Sequence, residues 1–307
     1  MSQKETFLNR FVKYRVFLIM LIPALIYTVV FAYLPMAGIV MAFKKYNYVD
    51  GIFNSPWNGF KNFEFFFQSG KALLVTRNTV LYNILFIAFN TTLQMAVAIL
   101  LVEMKNRYFR KISQSVMFLP YFISWVIVSV LAFNILSYDF GFLNSMIQTL
   151  GGEKINFYAD GSLWPLILMF FGAWKGVGYG SVMYLAAIMG IDTSLYEAAY
   201  IEGAHEFQRI FKITIPLMMP TVIILLLLAI GGIFRGNFDM FYNLVGNNGI
   251  LHNATDVIDT FTFRALINNN DFGMSAAAGL YQSVLCFITI LLANKAVKLY
   301  DPDYSLF

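Results

Sequence analysis

Six long apolar segments decide what this chain can fold into. They lie near residues 16–43, 75–102, 112–136, 163–189, 216–234 and 274–297. The hydrocarbon core of a bilayer is about 30 Å thick, and a helix needs about 20 mostly apolar residues to cross it. Each segment meets that requirement, so the sequence predicts an all-α membrane protein with six transmembrane helices.

The composition agrees with a membrane location. Hydrophobic residues make up 59% of the chain and charged residues only 12%, against about 45–50% and about 25% in soluble domains. The single cysteine, Cys286, cannot form a disulfide within the chain or a cysteine-based metal site. His205 and His252 are predicted to lie on opposite sides of the membrane, so we expect no metal site.

The positive-inside rule predicts the orientation of the six spans. An even number of spans places both termini on one side. With the N-terminus inside, more than half of the 21 Lys and Arg residues are cytoplasmic, beginning with Lys4 and Arg10. Lys44 and Lys45 fall outside and oppose the rule, but lysines at helix ends can snorkel. We therefore predict that the N-terminus and the C-terminus are both cytoplasmic.

The predicted spans divide the chain into four parts. These are a cytoplasmic N-terminal tail (1–15), the first helix with an outer aromatic-rich loop (16–74), a five-helix core (75–297) with a cytoplasmic loop at 190–215, and a cytoplasmic C-terminal tail (298–307). Pro35 and Gly38 leave open whether the first helix ends near Leu34. The aromatic residues of loop 44–70 are typical of a belt at the membrane interface.

Loop 190–215 contains the longest polar stretch between two strongly apolar segments. Its sequence from residue 194 is "SLYEAAYIEGAHEFQRIFKITIPLMMP". Ser194 and Glu197 have the spacing of a capping box, and Gly203 suits a turn or a close approach. A second amphipathic helix is predicted over 204–212, and Pro216 opens the next span. These features fit an interfacial helix pair and a docking site for another protein equally well.

The same stretch resembles the Glu–Ala–Ala loop of the membrane subunits of binding-protein-dependent ABC importers. The residues that match are Glu197, Ala198, Ala199, Gly203, Ala204, Ile213 and Pro216. Ile215 stands where leucine is usual, and Glu202 replaces a common aspartate. "FGAWKGVGYGSVMYLAAIMGIDTSLYEAA" and "FDMFYNL" resemble carbohydrate-transporting members, and "DVIDTFTFRAL" resembles permeases for oligosaccharides. The resemblance implies a type I ABC importer permease fold.

The resemblance also implies how such a chain is driven. In that family the loop docks into a cytoplasmic ATPase, so coupling is expected from Glu197, Ala198, Ala199, Gly203, Ala204 and Pro216. The chain has no G-x-x-x-x-G-K-[ST] phosphate-binding motif. We therefore expect a non-catalytic subunit without a cofactor of its own, whose partner ATPase uses ATP and Mg²⁺.

The partners follow from the same resemblance. They are a second, homologous but non-identical permease, two copies of the ATPase, an extracellular solute-binding protein, a sugar and membrane lipid, with no nucleic acid. The expected location is the plasma or inner membrane of a bacterium.

A charged residue inside a span predicts where the substrate lies. Lys175 is such a residue, although it could snorkel outward, and the glycines beside it could serve helix packing. Asp239 is a second candidate, unless it simply pairs with Arg235. With the resemblance to sugar permeases, the predicted substrate-binding residues are Tyr121, Trp125, Lys175, Gly176, Tyr179, Asn237 and Asp239.

Two other functions must be weighed against an oligosaccharide importer. A secondary transporter or channel that works without an ATPase would be favoured by paired buried acids or by inverted repeats with broken helices. A membrane-embedded enzyme would need His or acidic residues that converge at one depth. The sequence shows neither pattern, so it favours the permease subunit of an ATP-driven importer.

Overall fold

The computed structural model describes residues 13–68 and 70–307, so Lys4 and Arg10 of the predicted N-terminal tail lie outside it. In the described residues the first eight α-helices are α1 (Arg15–Thr28), α2 (Gly51–Asn54), α3 (Lys61–Gln68), α4 (Lys71–Glu103), α5 (Arg107–Phe122), α6 (Trp125–Leu136), α7 (Phe142–Thr149) and α8 (Trp164–Met189). They are followed by α9 (Thr193–Ile201), α10 (Glu206–Arg209), α11 (Ile215–Gly231), α12 (Phe238–Val245), α13 (His252–Thr255), α14 (Ile258–Ile267) and α15 (Phe272–Tyr300).

Five helical segments of the described residues are long and apolar enough to cross a membrane. They are Arg15–Phe43, Lys71–Glu103, Trp164–Met189, Glu206–Gly231 and Phe272–Leu299. The predicted span at 112–136 differs, because α5 and α6 meet there at an angle of 96°. The predicted third span therefore consists of two helices, and six spans result when this bent pair counts as one.

Local sequence explains the break between α5 and α6. Pro120 lies in the last turn of α5 and offers no backbone N–H. Ile123 and Ser124 then adopt extended backbone angles. The Ser124 hydroxyl accepts a hydrogen bond from the backbone N–H of Ile127 at 3.4 Å, which caps the start of α6. The short stretch 120–124 thus ends one helix and begins another.

The first span continues past the proline that made its end ambiguous. After α1 the backbone passes through a π-helical turn, Val29–Tyr33, and a 3₁₀ helix, Leu34–Phe43. Pro35 lies in the first turn of the 3₁₀ helix, where its missing N–H costs little. No residue of α1 is buried against the rest of the described chain.

Helix α4 is the centre of the fold because it contributes to all three apolar clusters of buried residues. Tyr82 packs in a cluster with α6, α8 and α12. Val75 packs in a second with α14 and α15, and Leu101 in a third with α8 and α11. Residues in the middle of α4 therefore lie at the centre of the bundle.

Loop 44–70 differs in one respect from the predicted interfacial belt. Phe66, on α3, is fully buried in the second cluster, so it is core rather than part of an interfacial belt. Trp57 and Phe60 remain exposed, as the belt prediction requires. Lys44 is buried beneath this loop, and its ammonium donates to the carbonyl of Phe53.

Candidate functional site

A cavity of about 320 Å³ lies between the middle parts of α4 and α8, the break between α5 and α6, and the start of α12. Its lining comes from α4 (Asn83, Phe86, Asn90), the break between α5 and α6 (Tyr121, Trp125), α8 (Gly172, Lys175, Gly176) and the start of α12 (Asn237, Met240). The structure thus brings together five of the seven predicted substrate residues. Their roles in binding remain a prediction.

The ammonium group of Lys175 forms hydrogen bonds within the protein itself. It donates to the backbone carbonyls of Pro120, at 3.2 Å, and of Tyr121, at 2.6 Å, and to that of Ile123. The ammonium also lies 5.5 Å from the ring centroids of Tyr121 and Trp125. The last carbonyls of a helix lack regular helical partners, and the Pro120 carbonyl also accepts from the backbone N–H of Ile123 at 3.2 Å. Lys175 therefore joins α8 to the break and orients two aromatic side chains of the cavity wall.

Tyr179 lies beside the cavity rather than on its wall. Its ring stacks on that of Tyr121 with a centroid distance of 4.1 Å and an angle of 6°. The stack extends the aromatic surface from α5 to α8. Parallel aromatic faces of this kind suit contact with the flat face of a sugar ring.

Two glycines of α8 have different surroundings. A Cβ on Gly178 would collide with the backbone carbonyl of Met117, so this glycine permits close packing of α8 on α5. A Cβ on Gly176 would meet nothing within 4 Å. Gly176 therefore leaves space in the cavity, whereas Gly178 serves helix packing.

Asn237 and Asp239 take separate positions at the start of α12. Asn237 lines the cavity, and its side-chain oxygen accepts from the backbone N–H of Met240 at 3.1 Å. Asp239 is exposed and lies outside the cavity lining. Within the described residues no ion pair forms between Asp239 and Arg235, so that alternative for Asp239 is not realised.

The non-helical link between α11 and α12 is held by side chains of other helices. The Asn83 amide donates to the carbonyls of Ile233, at 2.9 Å, and Arg235, at 3.0 Å. Gln282 donates to the carbonyl of Phe234 at 2.8 Å. Asp259 accepts from the backbone N–H of Gly236 at 2.5 Å, and burial raises the pKa of Asp259 above its usual value. These contacts hold the backbone of residues 233–236, which leads into Asn237.

The sequence analysis missed the contribution of α4. Asn83, Phe86 and Asn90 are separated by three and four residues, so they lie on one face of the helix. Two amides on the same face of an otherwise apolar span were the available signal, because polar side chains within spans face the protein interior or a cavity.

At the end of the bundle that carries loop 190–215, the predicted capping box is wrong. Helix α9 begins at Thr193, and its cap is Asp192, which accepts from the Ser194 backbone N–H at 2.9 Å. This hydrogen bond lowers the pKa of Asp192. The Glu197 carboxylate is exposed and caps nothing in the described chain. It is therefore free to bind a group outside this chain.

Gly203 ends α9 through a left-handed turn. Its φ is +77°, and its N–H donates to the carbonyl of Tyr200 at 3.0 Å. The N–H of Ala204 reaches back to the carbonyl of Ala199 at 2.9 Å. These two bonds form a Schellman motif, which requires a left-handed residue where Gly203 stands. The prediction of a turn with unusual φ at Gly203 is confirmed.

The second amphipathic helix of the loop is not a separate element. Helix α10 continues through a π-helical turn, Ile210–Thr214, directly into α11. The wider turn lies just before Pro216, whose ring disfavours regular α-helical bonding to the preceding turn. The hydroxyls of Tyr196 and Thr214, 3.0 Å apart, join α9 to this continuous helix.

Residues 192–216 form a helical knob, and apolar side chains are exposed on it. They belong to Tyr200, Ile201, Phe207 and Phe211. The coupling residues Glu197, Ala198, Gly203 and Pro216 are also exposed, and Ala199 and Ala204 are partly exposed. An exposed apolar cluster with polar neighbours is typical of a protein docking surface.

Known proteins are similar to this chain over both the cavity and loop 190–215. The model of the family described as "Binding-protein-dependent transport system inner membrane component" matches residues 94–298. Protein LplB of Bacillus subtilis (strain 168) is 33% identical over 285 residues, which cover 93% of this chain and 89% of LplB. The polygalacturonan/rhamnogalacturonan transport system permease protein YteP of the same organism is 32% identical over 302 residues, covering 98% and 94%.

A solved structure gives the same result. A chain of a bacterial ABC transporter involved in the import of the acidic polysaccharide alginate is 30% identical, with a TM-score of 0.87, and the match covers 95% of this chain and 98% of that one. The type I permease fold is thereby confirmed. Sequence, fold and the matched residues agree that this chain belongs to the family of binding-protein-dependent transport system inner membrane components.

Proposed function

We propose that this chain is the membrane-spanning subunit of an ATP-driven importer and that it passes an oligosaccharide through the cavity between α4, α5, α6, α8 and α12. The observation that carries the proposal is the cavity wall, which combines aromatic faces with amide groups in the middle of the spans. Aromatic rings stack on sugar rings, and amides form hydrogen bonds with hydroxyl groups. The names of YteP and of the alginate transporter support the same substrate class.

Loop 190–215 couples this chain to a separate ATPase. The uncommitted Glu197 carboxylate provides a polar contact, and Tyr200, Ile201, Phe207 and Phe211 provide the apolar ones. ATP with Mg²⁺ is bound and hydrolysed by that partner. Asp239, which is exposed and outside the cavity lining, makes a minor contact with the part of an extended oligosaccharide that lies beyond the cavity.

The complete importer contains a second, homologous permease, two ATPase copies and an extracellular solute-binding protein. The uncovered apolar surface of α1 supports a membrane partner. The alginate transporter has been solved in complex with a periplasmic protein bound to an alginate pentasaccharide, which supports a binding protein. The partner permease is a relative rather than a second copy of this chain.

Purification and reconstitution test this proposal. The complex is isolated through a tag on this chain, its subunits are identified by mass spectrometry, and it is placed in proteoliposomes with the binding protein. We expect ATP-dependent uptake of labelled trigalacturonate or trimannuronate, chosen because YteP is named for polygalacturonan/rhamnogalacturonan transport and the similar solved structure for alginate import. Uptake that needs no ATPase would instead establish a secondary transporter or channel, and the proposal would be wrong.

A further inference from the structure

Asn90 has an unusual environment for a polar side chain in a membrane span. It lies well inside α4, about five turns from its first residue, and lines the cavity opposite the glycines of α8. Its side-chain oxygen is buried and has no hydrogen-bond partner. A buried, unpaired amide oxygen costs about 1–3 kcal/mol, and lipid offers no hydrogen bond in compensation.

The other amides and the ammonium group on the cavity wall are already engaged. Lys175 donates to three carbonyls of the break. Asn83 donates to the carbonyls of the link between α11 and α12, and Asn237 caps α12. Their polar groups stabilise the architecture of the cavity. The side-chain oxygen of Asn90 differs, because no hydrogen-bond partner for it is found in the described chain.

The donor and acceptor of the Asn90 amide determine which ligand groups can form hydrogen bonds with it. The group presents one acceptor and one donor side by side, and rotation by 180° exchanges their positions. Two adjacent hydroxyl groups of a sugar ring match this pair, because one hydroxyl donates while the other accepts. A carboxylate matches it poorly, since it offers acceptors alone.

We infer that Asn90 is a specificity-determining residue that binds two neighbouring ring hydroxyls of the oligosaccharide as it passes the cavity. This inference rests on the proposed function and deepens it. Phe86, one turn away on α4, and Trp125 across the cavity provide apolar surfaces around the pair of hydrogen bonds. An apolar surrounding excludes competing water, so the loss of one hydroxyl leaves the amide unpaired and strongly disfavours that substrate.

Asn90→Leu removes donor and acceptor while keeping a similar volume. In the reconstituted complex we expect about a 10-fold to 100-fold lower ratio of maximal uptake rate to KM for trigalacturonate. The subunit composition of the complex, identified by mass spectrometry, should not change. Thr92→Val is the matched control, because Thr92 is an exposed residue of the same helix whose hydroxyl bonds to the Ala88 carbonyl.

Deoxy analogues of trigalacturonate identify the direct contact. In a 1,4-linked chain the hydroxyls at C2 and C3 are free, so analogues lacking either one are compared with the parent. The wild-type complex should discriminate against a deoxy analogue, and Asn90→Leu should transport that analogue and the parent equally well. Undiminished discrimination by Asn90→Leu would overturn the inference.

The remaining outcomes separate this inference from the proposed function. Normal uptake by Asn90→Leu overturns the role of Asn90 and leaves the importer intact. Loss of the second permease from the Asn90→Leu complex would show that Asn90 serves subunit assembly, which also overturns it. Absence of uptake by an assembled wild-type complex with active ATPase, for trigalacturonate and for trimannuronate, overturns both proposals.

Discussion

The coupling knob and the cavity are built from the same chain in opposite ways. The knob uses one contiguous stretch, 192–216, and its shape follows from local rules: an Asp192 cap, a left-handed Gly203 and a π-helical turn before Pro216. The cavity collects residues from position 83 to position 240, and its polar groups are fixed by contacts between distant helices. Local geometry therefore determines the knob, whereas tertiary packing determines the cavity.

Gly203→Leu should have the largest effect and tests the local side of this comparison. Leucine in the left-handed region costs about 1–2 kcal/mol, although the space around it is open. We expect an inserted chain that no longer retains its ATPase and has lost transport, measured by co-purification and uptake.

Gly203→Asn is the matched control, because asparagine tolerates the left-handed region. It should keep most of the ATPase. If leucine and asparagine behave alike, the conformation of the turn is not what the partner recognises.

Lys175→Met should have the next largest effect and tests the tertiary side. It removes the Lys175 donor from the carbonyls of Tyr121 and Ile123, so we expect the melting temperature of the complex to fall by several degrees and uptake to fall about 100-fold, given about 1–3 kcal/mol for each unpaired group. Lys175→Arg should recover part of both. A normal melting temperature with lost uptake would mean that Lys175 binds substrate charge rather than the break.

Gly178→Ala and Gly176→Ala should both have intermediate effects, the first on stability and the second on substrate binding. The added methyl at Gly178 collides with the Met117 carbonyl, so stability should fall by about 1–3 kcal/mol, the usual cost of overpacking. At Gly176 the methyl enters open space, so stability should be preserved while KM for trigalacturonate changes a few-fold. Thermal unfolding and uptake measured on both variants distinguish the two roles, and equal melting temperatures would refute them.

Asp239→Ala should have the smallest effect among the predicted substrate residues. Its side chain is exposed and outside the cavity lining, so we expect a change in uptake of about twofold or less, in the range of a solvent-screened contact. A loss as large as that of Lys175→Met would place Asp239 on the substrate path itself.

The contrast between the two regions also explains what could be predicted from the sequence. Hydropathy predicted the spans, and the spacing of Glu197, Gly203 and Pro216 predicted the knob, because both signals are local. The cap was misplaced by two residues, since Asp192 and Ser194 are both good capping residues and only the backbone decides between them.

The cavity was predicted from α5 to α12 but not from α4. Asn83 and Asn90 resemble ordinary polar interruptions of a span, and only packing shows that Asn83 bonds to the distant link at 233–235 while the side-chain oxygen of Asn90 has no partner in the described chain. The break after Pro120 has local signals in Pro120 and Ser124, but the Lys175 hydrogen bonds that hold it come from another helix and could not be predicted.

The π-helical turn at Ile210–Thr214 has a mechanical consequence. Because it preserves helical continuity, Glu206–Gly231 is a single continuous lever of 26 residues, with a length of about 39 Å at about 1.5 Å of rise per residue. A tilt of about 5° at the knob would displace the far end of such a lever by roughly 3 Å. That far end leads directly into the link held by Asn83, Gln282 and Asp259. A small rotation at the ATPase contact would therefore move the cavity wall by about the length of one hydrogen bond to a sugar hydroxyl.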